Sequence, residues 1–194
     1  MPKSLTILVP TYNEESIVDD CVMELERLIS SVVSSFNTQV KVLFIDNYSH
    51  DETWEKLQEI CSTRGAWRAV QLDRNYGIQA SLLRGMSLAN TDGLLVLQSD
   101  LQDPIETALE LIRLWLGGAR VAAGITDKRA EKFMDRVSRA TFYKVLEKTS
   151  DFGLQPWFHD FYVLDKEVYT RLYRQGFQHE FIRGRISEEF GIEH

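Results

Sequence analysis

Short apolar-rich runs alternate along this chain with stretches in which apolar residues recur every three or four positions. Leu5–Val9, Val40–Ile45, Trp67–Leu72 and Leu94–Leu97 have the length and composition of strands. Between them the period changes. Ile17, Cys21, Leu25, Leu28 and Val32 predict a helix over 14–35, with Glu14 and Glu15 in the first turn, where the helix dipole favours acids. Ser49 and Glu52 have capping-box spacing at the head of a helix through Trp54, Leu57, Ile60 and Cys61. A third helix is expected over Ile78–Leu88. A fourth runs through Leu109, Ile112 and Leu116, with Pro104 at its start. "GGARVAAG" ends that helix and supplies a fifth strand.

After Ile125 the pattern changes. Residues 126–148 read as a basic amphipathic helix, "SDFGLQPWFHD" as a loop, and "FYVLDKEVYTRL" as a short strand followed by a helix. The last twenty residues mix charge with aromatics. Buried strands alternating with helices predict an α/β domain with a mostly parallel sheet flanked by helices. Such sheets bind ligands at the carboxyl ends of their strands. Three polar groups fall there: "PTYNEE" after the first strand, "DNYSHDE" after the second and "QSDLQD" after the fourth. That coincidence predicts one site.

Composition narrows the class. The chain has 194 residues, 44% hydrophobic and 26% charged, enough for one domain with a sizeable core. A net charge of −7 argues against a nucleic-acid groove. No apolar run approaches the roughly 20 residues that span a bilayer. The N-terminus passes straight into a strand, with no signal peptide expected. Cys21 and Cys61 occupy apolar helical positions and read as small hydrophobes in a reducing, cytoplasmic compartment, with a pairing of the two left open.

Individual residues carry less. Asp46, ending a strand, can accept hydrogen bonds from a base or ribose, and is equally well read as a turn-former before Asn47. Pro10–Glu14 can hold a flat base beside Tyr12 or simply begin a helix. Asp100 can bind a divalent cation on a diphosphate, with Gln102 adding a neutral oxygen and Asp103 capping the next helix. Asp160 can act as a general base or be structural. The basic set that includes Lys128, Arg129, Arg136 and Lys144 can meet phosphates, although interleaved acids favour a solvated helix face.

Taken in order, "VPTYNEE", "FIDNYSHDET", "LDRNYGIQASLLRGMSLAN", "LVLQSDLQDPIE", "FHDFYVLDKEVY" and "FIRGRI" resemble the motifs of family 2 glycosyltransferases with the GT-A fold. Within that family the pattern is most similar to the polyisoprenyl-phosphate glycosyltransferases, the group of dolichol-phosphate mannose synthase and bactoprenol glucosyltransferase. The resemblance runs from about Leu5 to Gly191. It implies a single GT-A catalytic domain over 1–194, with a nucleotide-sugar-binding part (1–125) and an acceptor-side part (126–194), and without the C-terminal membrane region usual in the family.

It also implies roles. Pro10, Tyr12, Glu14, Asp46 and Asp100 would bind the nucleotide sugar. Asp100 with Gln102 would hold Mg²⁺ or Mn²⁺. Asp160 would be the catalytic base. Arg129, Arg136 and Arg183 would meet the acceptor or phosphates. The implied reaction is inverting transfer of a sugar from a nucleoside-diphosphate sugar to a polyisoprenyl phosphate. A glycan hydroxyl acceptor and a non-catalytic sugar-nucleotide-binding domain are the alternatives. The expected setting is cytoplasmic, at the inner membrane face. Peripheral membrane contact and a homo-oligomer stay open, and no nucleic acid is expected. Three positions depart from the pattern: Gln98 stands where Asp-x-Asp would begin, Asn47 where a second acid would follow Asp46, and Thr126 where an arginine is common.

Overall fold

The computed structural model describes residues 2–99, 105–125, 158–175, 182 and 186. The elements follow in the order β1 (Ser4–Thr11), α1 (Val18–Phe36), β2 (Gln39–Asp46), α2 (Thr53–Ser62), β3 (Trp67–Gln71), α3 (Ile78–Leu88), β4 (Gly93–Val96), α4 (Ile105–Leu116), β5 (Val121–Ile125), β6 (Phe158–Asp165) and α5 (Lys166–Arg174). The sheet order is β3-β2-β1-β4-β6-β5. β1, β2, β3 and β4 pair in parallel, and β6 lies antiparallel between β4 and β5. Five strands therefore point one way and only β6 returns.

The strands are apolar on both sides because both sides are covered. Leu5, Ile7 and Val9 of β1 pack with Val42, Phe44 and Leu95 against the inner faces of α1 and α4. Leu8, Leu43, Ile45 and Val96 pack on the other side with Leu82 and Met86 of α3 and with Val168 and Leu172 of α5. Ile182 and Ile186 are buried in this second cluster, so part of the C-terminal "FIRGRI" stretch is pinned to the core. No disulfide joins Cys21 and Cys61. Among the described residues no helix is long and apolar enough to cross a membrane.

α3 sits unusually close to the sheet, and Gly85 is the reason. A Cβ on Gly85 would intrude on the methyls of Leu8, which is fully buried. Gly85→Ala should therefore destabilise by about 1–3 kcal/mol through overpacking, despite alanine's better helix propensity. Urea unfolding checks it, and a gain in stability would show that Leu8 has room to repack.

Two local expectations are corrected. The first helix begins at Val18, not at residue 14, with Asp19 and Asp20 as its first-turn acids. Asn13 has φ +55° and is bound to the β2–α2 loop, so the chain crosses to that loop before it can coil. Ser49 and Glu52 form no capping box. Glu52 occupies the cap position without a side-chain bond, and the Ser49 hydroxyl is taken by Asp46. Asp51 Oδ1 instead accepts from the Thr53 N–H at 3.1 Å.

Candidate functional site

The carboxyl ends of β1, β2 and β4 open on a cleft of about 330 Å³. From β1 and the turn beyond it come Pro10, Thr11, Tyr12 and Glu14. Asn47 follows β2, and Gln98 and Ser99 follow β4. The fourth side is the β3–α3 connection and the first turn of α3, with Asn75, Gly77, Ile78 and Ser81. The volume is at the low end for small-molecule sites. Among the described lining residues Glu14 is the only acid and there is no lysine or arginine. The cleft therefore suits a flat, largely uncharged group better than a diphosphate.

Two loops form its wall and are stitched together by hydrogen bonds between residues far apart in sequence. Asn47 N–H donates to the Thr11 carbonyl (2.9 Å), and Asn13 N–H to Ser49 Oγ (2.9 Å). His50 N–H donates to Asn13 Oδ1 (2.9 Å), and Glu14 N–H to Thr53 Oγ1 (2.7 Å). Glu15 N–H donates to Asp51 Oδ2 (3.2 Å), and Glu52 N–H to Glu15 Oε2 (2.9 Å). Partial burial works to raise the Asp51 carboxyl. The bonds it accepts from Thr53 and Glu15 outweigh that and hold it below the ordinary carboxylate value.

Asn47 ties this wall to the next. Its Nδ2 donates to Asn75 Oδ1 (2.8 Å), and its Oδ1 accepts from Tyr76 N–H (3.0 Å). Asn75 Oδ1 also accepts from Gly77 N–H (2.9 Å). An aspartate at position 47 could accept from Tyr76 but could not donate to Asn75. Gly77, with φ +83° and ψ 166°, turns the chain into α3 through backbone space that is essentially glycine-only.

Of the residues singled out by sequence, Pro10, Tyr12 and Glu14 line the cleft. Ser99 Oγ donates to Glu14 Oε1 at 3.1 Å, joining the β1 and β4 ends. Asp46 stands just behind the wall, fully buried. Its Oδ2 accepts from Ser49 N–H (3.1 Å) and Gln71 Nε2 (2.9 Å), and its Oδ1 from the Ser49 hydroxyl. The backbone of Asp160 lies in β6, two residues before Tyr162, whose partner is Val96. β6 runs antiparallel to β4, so Asp160 falls toward the strand end that carries Gln98 and Ser99. Asp100, Gln102, Arg129, Arg136 and Arg183 lie outside the described residues, although Asp100 directly follows Ser99 and Arg183 directly follows Ile182. Ile182 N–H donates to Gln79 Oε1 (3.2 Å), which brings the C-terminal stretch to the head of α3.

Sequence reasoning did not single out Asn75, Gly77 and Ser81, and treated Asn47 and Gln98 only as departures. The small polar Ser81 on the sheet-facing side of a helix was the available signal.

No group of three or more metal-ligating side chains occurs among the described residues. At the β4 end the described donors are hard oxygens, the Gln98 carboxamide and the Ser99 hydroxyl, with the next residue a carboxylate. That chemistry fits Mg²⁺ or Mn²⁺ held largely by a ligand's own oxygens, and not a soft metal.

The family described as Glycosyl transferase family 2 matches residues 6–170. The uncharacterized glycosyltransferase YkcC of Bacillus subtilis (strain 168) is 29% identical over 183 residues, covering 94% of this chain and 55% of the relative. The prophage bactoprenol glucosyl transferase homolog of Escherichia coli (strain K12) is 27% identical over 187 residues, covering 94% and 59%. This chain thus spans little more than half the length of these relatives. Among solved structures, a mannosyltransferase from Pyrobaculum calidifontis in complex with GDP-Man and Mn²⁺ superposes with a TM-score of 0.62. Its identity is 18%, covering 89% of this chain and 47% of that one.

Proposed function

We propose that this chain, which belongs to glycosyl transferase family 2 and has the GT-A fold, transfers a sugar from a nucleoside-diphosphate donor to a polyisoprenyl phosphate. The observation that carries the reading is the cleft itself. It is built from three strand ends of a mostly parallel sheet, with Tyr12 at its mouth, and its size suits the nucleoside half of such a donor. In this reading the diphosphate lies beyond Ser99, on the side of the chain that continues to Asp100. Asp100, with Gln102, would hold a Mg²⁺ or Mn²⁺ ion, which supplies positive charge to a departing diphosphate. Relatives named for bactoprenol glucosyl transfer support the lipid acceptor.

In this reading the chain's own groups bind and orient. Pro10, Tyr12 and Glu14 cradle the nucleoside, and the Asn47–Asn75 bond fixes the opposite wall. An acceptor oxygen forms a bond to the anomeric carbon on the face opposite the leaving group. The bond from that carbon to the diphosphate oxygen breaks, and its electron pair leaves with the nucleoside diphosphate, so the configuration inverts. Asp160 would face the acceptor. Arg183, which follows the buried Ile182 in sequence, would meet its phosphate, as would Arg129 and Arg136.

A thermal-shift screen of UDP, GDP, ADP and CDP, each with and without Mn²⁺, tests the reading. A diphosphate at about 100 times its dissociation constant should add about 2.7 kcal/mol of stability. A flat response to all four would sink the donor assignment. With a binding donor in hand, transfer to a polyisoprenyl phosphate in detergent is expected, and transfer only to soluble glycans would overturn the acceptor.

A further inference from the structure

We infer that Ser81 is a direct contact of the nucleoside, its hydroxyl pairing with a polar atom of the bound ligand at the bottom of the cleft; this rests on the nucleotide-donor reading. Ser81 lies in the first turn of α3, lines the cleft and is fully buried. Its Oγ has no hydrogen-bond partner among the described residues.

That is unlike most of the other helical serines, and the exception, Ser35, is exposed to water. Ser30 donates to the Glu26 carbonyl (2.8 Å), Ser31 to Arg27 (3.0 Å), Ser62 to Glu59 (2.7 Å) and Ser87 to Arg84 (2.7 Å). Those hydroxyls bond back to the preceding turn even though they are exposed and have water available. Ser87 does so two turns further along the same helix. Ser81 is buried, where an unmet hydroxyl is costly, and it does not. The Gly77 carbonyl, which takes Ser81's own N–H at 3.3 Å, has a second lone pair that the Ser81 hydroxyl leaves unused.

The asparagine oxygens of the neighbouring wall bond within the wall and not to Ser81. Asn75 Oδ1 accepts two bonds and Asn47 Oδ1 accepts one, all within the wall. They shape the cleft, and Ser81 is left with an unsatisfied donor and acceptor facing it. Gly77 and Ile78, at the start of α3, line the same space. A hydroxyl can both give and receive a hydrogen bond, so it can meet a base carbonyl, a ring nitrogen or a ribose hydroxyl.

The test is calorimetry of wild type and Ser81→Ala with UDP and GDP in the presence of Mn²⁺. Ser81→Ala removes one unpaired buried hydroxyl and should leave the melting temperature unchanged or raised. Affinity for the preferred diphosphate should fall about tenfold, the loss of one hydrogen bond left unmade. Repeating the pair with the 2′-deoxy diphosphate assigns the contact. If the mutation costs nothing there, Ser81 meets the ribose 2′-hydroxyl; if the loss persists, it meets the base or the 3′-hydroxyl. Equal affinity of the two proteins for the ribonucleotide overturns the Ser81 contact and leaves the donor reading standing. A wild type that binds none of UDP, GDP, ADP and CDP overturns both.

Discussion

With a hydroxyl acceptor, Asp160→Asn is expected to cut turnover by about 10²–10⁴-fold, the usual contribution of a positioned general base; with either acceptor, nucleotide affinity should stay nearly unchanged. The cleft proposed for the nucleoside is assembled from β1, β2, α3 and the β4 end, none of which Asp160 belongs to. β6 brings its backbone toward the end of β4 that carries Gln98 and Ser99. The pH profile then separates two chemistries. A hydroxyl acceptor must lose its proton as it attacks, so the acidic limb of the rate profile reports Asp160 and should vanish in the variant. A phosphate monoester has a second pKa near 6 and reacts already ionised. With that acceptor the limb should persist, because the acceptor sets it. Full turnover on the true acceptor would return Asp160 to a structural role.

Asp46→Ala should be costly in two ways at once. The carboxylate is fully buried and accepts three hydrogen bonds, two from Ser49 and one from Gln71. Removing it strands the partly buried donors of Ser49 and Gln71 at a cost of about 3 kcal/mol, a fall of about 6–12 °C in melting temperature for a chain of this length. It also frees Ser49, and with it the bond from Asn13 that joins the two loops of the wall, so nucleotide binding should be lost as well. Asp46→Asn separates the two roles. Asparagine keeps the shape, and the Gln71 amide can turn to offer its oxygen to the new donor, so most of the stability should survive. Nucleotide affinity lost in that stable variant places the carboxylate on the ligand. Affinity retained makes Asp46 a scaffold for the loop. A melting temperature unmoved by Asp46→Ala would mean that the three bonds contribute nothing.

Those three bonds show which parts of the fold could be read beforehand. Strand identity was legible because burial on both faces leaves continuous apolar runs, and the positions of β1, β2, β3, β4 and β5 follow from them within a residue or two. The three polar groups at strand ends converge on one cleft because parallel strands deliver their carboxyl ends to one edge. Pairing was not legible. Nothing in "FHDFYVLD" says that it will insert antiparallel between β4 and β5, because its partners are set by long-range packing of Tyr162 and Leu164 with α3 and α5. Loop chemistry was misread for a related reason. Ser49 and Glu52 carry the spacing of a cap, yet a buried carboxylate three residues earlier competes for the serine and wins. Local motifs report what a residue can do, and the tertiary surroundings decide which of its options is used.

The stitched pair of loops has a consequence for the thermodynamics of capture. A ligand entering a cleft with mobile walls must freeze them, and each immobilised side chain subtracts about 0.5–1.5 kcal/mol from the affinity. Here the wall residues from Asn13 to Glu15 and from Asn47 to Glu52 are already fixed to one another before anything binds. That entropy was spent when the chain folded. The nucleoside side of this site is therefore expected to accept its ligand as a rigid mould, with selectivity set by a shape that pre-exists the encounter.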